Sequence, residues 1–229
     1  MGSDKFSLKG KSAVLFDMDG VLYDSMPHHA KAWSKTFSDF GMHMDLTQVY
    51  MNEGCTGSYT ISRVSLAQRG YDATPEEVER IYAHKAELFR SMPEVEIMPG
   101  ALDLMHRVRD CGMKILIVTG SGQKALIDRV LRDFDGFMVR ERMVTSFDVS
   151  RGKPFPDPYL KGLEIAGVDA SQAVVVENAP LGIQAGVAAG IDSIAVNTGP
   201  LPDSVLLEEK PCALFHSIRE LADCWDSLL

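Results

Sequence analysis

Three short runs of uninterrupted apolar residues constrain this chain most: Ala13-Val14-Leu15-Phe16, Ile115-Leu116-Ile117-Val118 and Ala173-Val174-Val175-Val176. A strand with one wet face alternates polar and apolar residues, whereas a strand covered on both faces reads as a continuous apolar run. Shorter runs at Met143 to Thr145, Ile191 to Val196 and Ala213 to Phe215 extend the series. Helical patterns lie between them, over Ala101 to Arg109, from the glycines after Thr119 through Leu131, over Pro180 to Ala189 and from Ser217 onward. Strands alternating with helices predict an α/β fold, a Rossmann-like doubly wound parallel sheet.

Residues 23 to 93 interrupt that rhythm. They hold no convincing strand, but helical spacing recurs. Pro27 opens one helix, with Ser25 as its expected cap and Ala30, Trp33 and Phe37 on one face. Others are expected over Asp45 to Met51 and Ser58 to Gln68, and from Thr74-Pro75-Glu76-Glu77 to about Arg90, where threonine, proline and acids suit a helix start. Asn52-Glu53-Gly54-Cys55-Thr56-Gly57 reads as a loop. The expectation is an α/β core of residues 1–22 and 94–229, with a helical cap domain inserted at 23–93.

In an open α/β sheet, ligands bind beyond the carboxyl ends of the strands. Four such ends carry polar groups. Asp17 and Asp19 follow the first run, and side chains two apart on an extended segment face the same side. Thr119-Gly120-Ser121 follows the second and offers hydroxyls and backbone N–H groups that suit a phosphate. Lys153 sits in Gly-Lys-Pro-Phe-Pro-Asp-Pro, a loop stiffened by three prolines, and Glu177-Asn178 follows the valine run. Two acids, a hydroxyl, a lysine and an acid–amide pair suit a divalent cation and a phosphoryl group, with Mg2+ the expected cofactor. The Asp-x-Asp segment is not an EF-hand, because it lacks that loop's further acidic positions.

With 32 acidic residues against 23 basic ones the net charge is −9, which disfavours nucleic acid and anionic membrane as partners. Cys55, Cys111, Cys212 and Cys224 lie far apart and form no C-x-x-C pair, so reduced thiols in a cytoplasmic setting are expected. The N-terminal apolar run stops after four residues, and neither a signal peptide nor a membrane span is expected. The expected partner is a small phosphorylated molecule, bound by a monomer.

These motifs resemble the haloacid dehalogenase superfamily of phosphotransferases: Asp-Met-Asp-Gly-Val-Leu at 17–22, Val118-Thr119-Gly120-Ser121, Lys153 with Pro-x-Pro-Asp-Pro, and Val175-Val176-Glu177-Asn178. The cap position and His29 with Ala32-Trp33 resemble the β-phosphoglucomutase-like branch. Within it, Asn-Glu-Gly, Thr-Gly-Ser-Gly and Glu-Asn-Ala-Pro-Leu-Gly are similar to members that hydrolyse inorganic pyrophosphate.

The resemblance implies that Asp17 is a nucleophile forming an aspartyl phosphate and that Asp19 is the acid–base. It implies magnesium held by Asp17, the Asp19 carbonyl and Asn178, with Glu177 near or in the shell. Thr119, Gly120, Ser121 and Lys153 would hold phosphoryl oxygens. The family's fourth motif usually ends in aspartate where Asn178 stands, and the cap loop carries Glu53 where mutases carry an arginine. Glu53 is expected to approach the metal on cap closure, and His29 to contact substrate. Pyrophosphate is the expected substrate; a β-phosphoglucomutase-type mutase or a sugar-phosphate phosphatase is the alternative. A binding protein with an impaired site is the third reading, raised by Asn178.

Overall fold

A computed structural model describes residues 6–122 and 124–229. The expected apolar runs form strands β1 (Ala13–Phe16), β2 (Lys114–Val118) and β4 (Ala173–Glu177), joined by β3 (Met143–Val144), β5 (Asp192–Val196) and β6 (Ala213–Phe215). All pair in parallel in the order β3-β2-β1-β4-β5-β6. β1 and β4 are buried at every residue, which is why their sequences do not alternate. One face of the sheet sends Val14, Phe16, Ile115, Ile117, Val174 and Val176 into a core with Phe134 and Trp225. The other sends Leu15, Leu116 and Val175 against Tyr159 and Leu163. Apolar cover on both faces confirms the doubly wound reading.

Helices α1 (Met26–Asp39), α2 (Leu46–Met51), α3 (Gly57–Arg69) and α4 (Pro75–Arg90) occupy the interrupting stretch. They bury a separate cluster that includes Met26, Trp33, Phe37, Met44, Ile61 and Ile81. Thr74 caps α4 in a reciprocal capping box with Glu77, as its sequence predicts. Ser25 needs correction. It occupies the N-cap position of α1, but its hydroxyl makes no cap bond and donates instead to Asp19 Oδ1 at 2.6 Å. The two chain crossings between helical unit and sheet run side by side, with Asp24 N donating to Glu96 O and Met98 N to Leu22 O.

α5 (Ala101–Asp110) precedes β2, α6 (Lys124–Asp133) follows it, and α7 (Asp157–Ala166) comes after β3. The prolines at 156 and 158 start α7 rather than prolong a loop, since proline fits the first helical turn. α8 (Pro180–Ala188), α9 (Asp203–Leu207) and α10 (Ile218–Cys224) complete the chain.

Candidate active site

β1, β2 and β4 lie side by side, so their carboxyl ends bring Asp17, Thr119 and Glu177 to one rim of the sheet. Lys153 reaches the same rim from the loop after β3. Its Nζ donates to Asp17 Oδ1 at 2.5 Å, Glu177 Oε1 at 2.7 Å and the Val118 carbonyl at 3.0 Å. All three side chains are buried. A buried ammonium between two carboxylates is held charged, and burial alone would do the reverse. The lysine lies well above its usual range, because Asp17 and Glu177 overcome the desolvation penalty.

Asp17 is nonetheless pushed up to about 7, chiefly by desolvation, with Glu177 and Asp19 adding to it and Lys153 opposing. Its Oδ2 is buried without a hydrogen-bond partner, and so is Asn178 Oδ1. Two orphaned oxygen acceptors in a net-negative pocket fit a hard cation such as magnesium. Among the described residues no three His, Cys, Asp or Glu side chains group as a metal site, so any such cation would draw on Asp17 Oδ2 and Asn178 Oδ1 together with backbone or solvent oxygens. Gly20, at φ +82°, makes the approach of Asn178 feasible, since a β-carbon there would lie 2.1 Å from Asn178 Nδ2.

Glu177, expected near or in a metal shell, lies beside Asn178 and shares Lys153 with Asp17, with its oxygens taken up by protein donors. Oε1 accepts from Lys153 and from the Tyr159 hydroxyl at 2.8 Å, and Oε2 accepts from the backbone N–H groups of Asn178 and Ala179. Four protein donors fill its oxygens, so it orients Lys153. Gly182 leaves room for it: an added β-carbon would sit 1.9 Å from Oε1.

Asp19 points toward the helical unit. Its Oδ1 accepts from Ser25 and meets His29 Nε2 at 3.0 Å, while His29 Nδ1 meets Lys85 Nζ at 2.7 Å. Burial raises the Asp19 carboxyl, but the charge and hydrogen bond of His29 and the Ser25 bond outweigh it and leave it lowered. His29 is lowered by burial and by Lys85. Burial pulls Lys85 down to about 8 against Asp19 and Glu53. Lys85 escaped the sequence reading. Its signal was a lysine in register with Ile81 and Phe89, the buried stripe of α4.

Glu53 and Cys55, on the loop between α2 and α3, line a cavity of about 40 Å³ with Asp17, Asp19, His29 and Lys85. Thr119, Gly120 and Ser121 form its floor. The Glu53 carboxyl lies well above its ordinary range, from burial and from the nearby Asp19 and Asp17 carboxylates. Burial lifts the Cys55 thiol to about 12, so it stays protonated. Ser121 N donates to Thr119 Oγ1 at 3.0 Å, which fixes the turn under the cavity. Gly120 lets the loop between α2 and α3 settle there, because a β-carbon would lie 2.5 Å from the Gly54 carbonyl oxygen.

A sequence model of the haloacid dehalogenase-like hydrolases matches residues 14–196, which span all four strand ends. The chain belongs to that family. It is an enzyme of the family's phosphohydrolase and phosphotransferase type. Hexitol phosphatase A of Escherichia coli strain K12 is 31% identical over 209 residues, 90% of this chain and 91% of the relative. A fructose-1-phosphate phosphatase of the same organism is 30% identical, over 81% of this chain and 96% of its own. A solved structure from Bacteroides vulgatus, provisionally named a β-phosphoglucomutase, superposes with a TM-score of 0.92 at 50% identity, covering 95% of this chain and 88% of that one. No helix among the described residues is long and apolar enough to cross a membrane.

Proposed function

We propose that this enzyme is a magnesium-dependent phosphohydrolase acting on small phosphorylated sugars or sugar alcohols. The observation that carries the proposal is the cavity that sets Asp17 and Asp19 against hydrogen-bonding groups from the helical unit 23–93, which acts as a cap: His29, Asn52, Thr60 and Lys85. Asn52 Oδ1 is buried and has no partner, a natural acceptor for a substrate hydroxyl. The relatives that share nearly the whole chain are, by name, phosphatases of a hexitol and of fructose 1-phosphate.

In this reading Asp17 attacks phosphorus and carries the phosphoryl group as an aspartyl phosphate. Asp19, held ionised by Ser25 and His29 in the free protein, must take up a proton as the substrate binds; it passes that proton to the leaving oxygen and then takes one from the incoming water, which breaks the Asp17–phosphoryl bond and releases phosphate. Ser25 and His29 hold its carboxyl in place. Lys153 balances phosphoryl charge, and Thr119 with the backbone at Gly120 and Ser121 receives phosphoryl oxygens. Magnesium would be held by Asp17, the Asp19 carbonyl and Asn178, with Glu53 adding charge on closure; when bound it supplies neutralisation of the phosphoryl oxygens.

Pyrophosphate is a second reading. The relatives described above give it no support, but the closed cavity favours it. About 40 Å³ suits a compact substrate, and Glu53 stands on a loop, residues 52–57, that offers no cation to the second phosphate of a bisphosphorylated sugar. The same loop disfavours a mutase.

A phosphate-release panel of hexitol phosphates, fructose 1-phosphate, glucose 1-phosphate and pyrophosphate, with Asp17→Asn as blank, tests these readings. Release from the hexitol and fructose esters exceeding that from pyrophosphate is the expected result. Turnover confined to pyrophosphate would replace the first reading with the second. Conversion of glucose 1-phosphate to an isomer with its phosphate retained would establish a mutase instead.

A further inference from the structure

A second space adjoins the catalytic cavity and is unused by the chemistry above. It is a groove of about 340 Å³ between cap and core, compared with about 40 Å³ for the cavity. The larger figure falls in the range of small-molecule sites, roughly 300–1,000 Å³, and the smaller does not. The two spaces share three lining residues: Gly57, Tyr82 and Gly120.

At Gly120 the partition is backbone, since the Gly54 and Cys55 carbonyls lie where a β-carbon would project, 2.5 and 2.9 Å from it. At Gly57 the partition is a side chain. A β-carbon there would fall 2.2 Å from Tyr82 Cδ2 and 2.3 Å from Cε2, so the edge of the tyrosine ring lies against bare backbone. Trp33 backs the ring at 6.5 Å between centroids. Beyond it the groove mixes polar and apolar surface, with Ser58, Ser146, Ser150 and the Glu79 carboxyl beside Val149 and Phe147. Phe147 is 73% exposed. Hydroxyls beside an aromatic face suit a polyhydroxylated carbon chain, whose C–H edge packs on the ring while its OH groups bond at the margins.

We infer that Tyr82, seated on Gly57, sets the size of leaving group the enzyme accepts, and that the outer groove receives the carbon chain of longer substrates once this ring moves aside. Asp17 and Lys153 perform the same transfer whichever side of the ring the leaving group occupies. Tyr82 is thus a specificity residue. The inference rests on phosphoryl transfer at Asp17 and holds whether a polyol ester or pyrophosphate is the natural substrate.

The test is the ratio of kcat/KM for mannitol 1-phosphate to that for pyrophosphate, measured in wild type, Tyr82→Phe, Tyr82→Leu and Tyr82→Ala. Tyr82→Phe keeps the ring and should keep the ratio. Tyr82→Ala should raise it about tenfold, the scale on which pocket size discriminates substrates. Tyr82→Leu should raise it less and guards against misfolding of the alanine variant. A ratio unchanged in both Leu and Ala variants, with each substrate slowed alike, would overturn the inference and leave Tyr82 a packing residue. Wild type that releases phosphate from neither compound would overturn the transfer reading itself, a separate failure.

Discussion

Lys153 Nζ lies 2.5 Å from Asp17 Oδ1 and 2.7 Å from Glu177 Oε1, so one buried cation joins the proposed nucleophile to a carboxylate from the neighbouring strand. Removing the cation takes the donor from Asp17 Oδ1 and the counter-charge from Glu177, which keeps only Tyr159 and two backbone N–H groups, and breaking a buried pair in this way costs on the order of 3–5 kcal/mol. Lys153→Ala is therefore expected to abolish phosphate release and to lower stability by that amount in denaturant titration. Glu177→Gln keeps an oxygen for Tyr159 and Lys153 but loses the charge. It should fold with a smaller loss and turn over slowly.

The chain from Asp19 through His29 to Lys85 offers a milder perturbation. Lys85→Met fills the same buried space without charge, so stability should change by less than about 1.5 kcal/mol. Asp19 would keep Ser25 and His29, but His29 would lose the neighbour that faces Nδ1. A fall in kcat of roughly a hundredfold is expected, the lower end of what a positioned acid–base contributes. Unaltered steady-state kcat in Lys85→Met would show that the lysine serves packing only.

How much of this was visible in the sequence depends on what each residue answers to. β1, β2 and β4 were legible because strands buried on both faces must be apolar throughout, and Asp17, Thr119 and Glu177 followed because ladder register puts successive strand ends on one rim. Ser25 was misjudged because a serine before a helix has two outlets, the first-turn N–H groups or a tertiary acceptor, and Asp19 took it. Glu177 likewise answers to Lys153, Tyr159 and its own following backbone, and Tyr159 came from a helix hidden behind the prolines. Such partners are set by folding in three dimensions. The partition by Tyr82 and Gly57 is of the same kind.

The crossing from the sheet into the helical unit carries an acid-sensitive clamp. Asp133 Oδ2 accepts from Arg129 at 2.8 Å and from the Tyr23 hydroxyl at 3.1 Å, and Arg132 donates to Oδ1. Burial raises this carboxyl, but those hydrogen bonds overcome it and leave it lowered. A depressed folded-state pKa stabilises above the unfolded value, near 3.8, and that contribution disappears as pH falls through the folded one. Asp133→Asn should cost about 2 kcal/mol at pH 7, a Tm loss of roughly 4–8 °C. The difference from wild type should narrow below pH 4. A constant gap in melting scans from pH 7 to 3 would contradict the clamp.

Glu53 bears on the metal. Asn178 contributes no charge where the family usually has aspartate, and Glu53, brought in by the cap loop, lies close enough to Asp19 and Asp17 for their carboxylates to raise its own. Glu53 lines the same cavity as Asp17 and Asp19, and on the proposed reading a bound cation would draw off its proton and gain a charge that Asn178 does not supply. Glu53→Ala should raise the magnesium concentration for half-maximal activity at least tenfold, a binding loss of about 1.4 kcal/mol. Asn178→Asp should restore part of it in the double variant, because charge lost from the cap is returned from the core. Titrating magnesium against initial rate in the four proteins measures the coupling directly. Additive effects of the two substitutions would show that Glu53 and Asn178 do not serve the same ion.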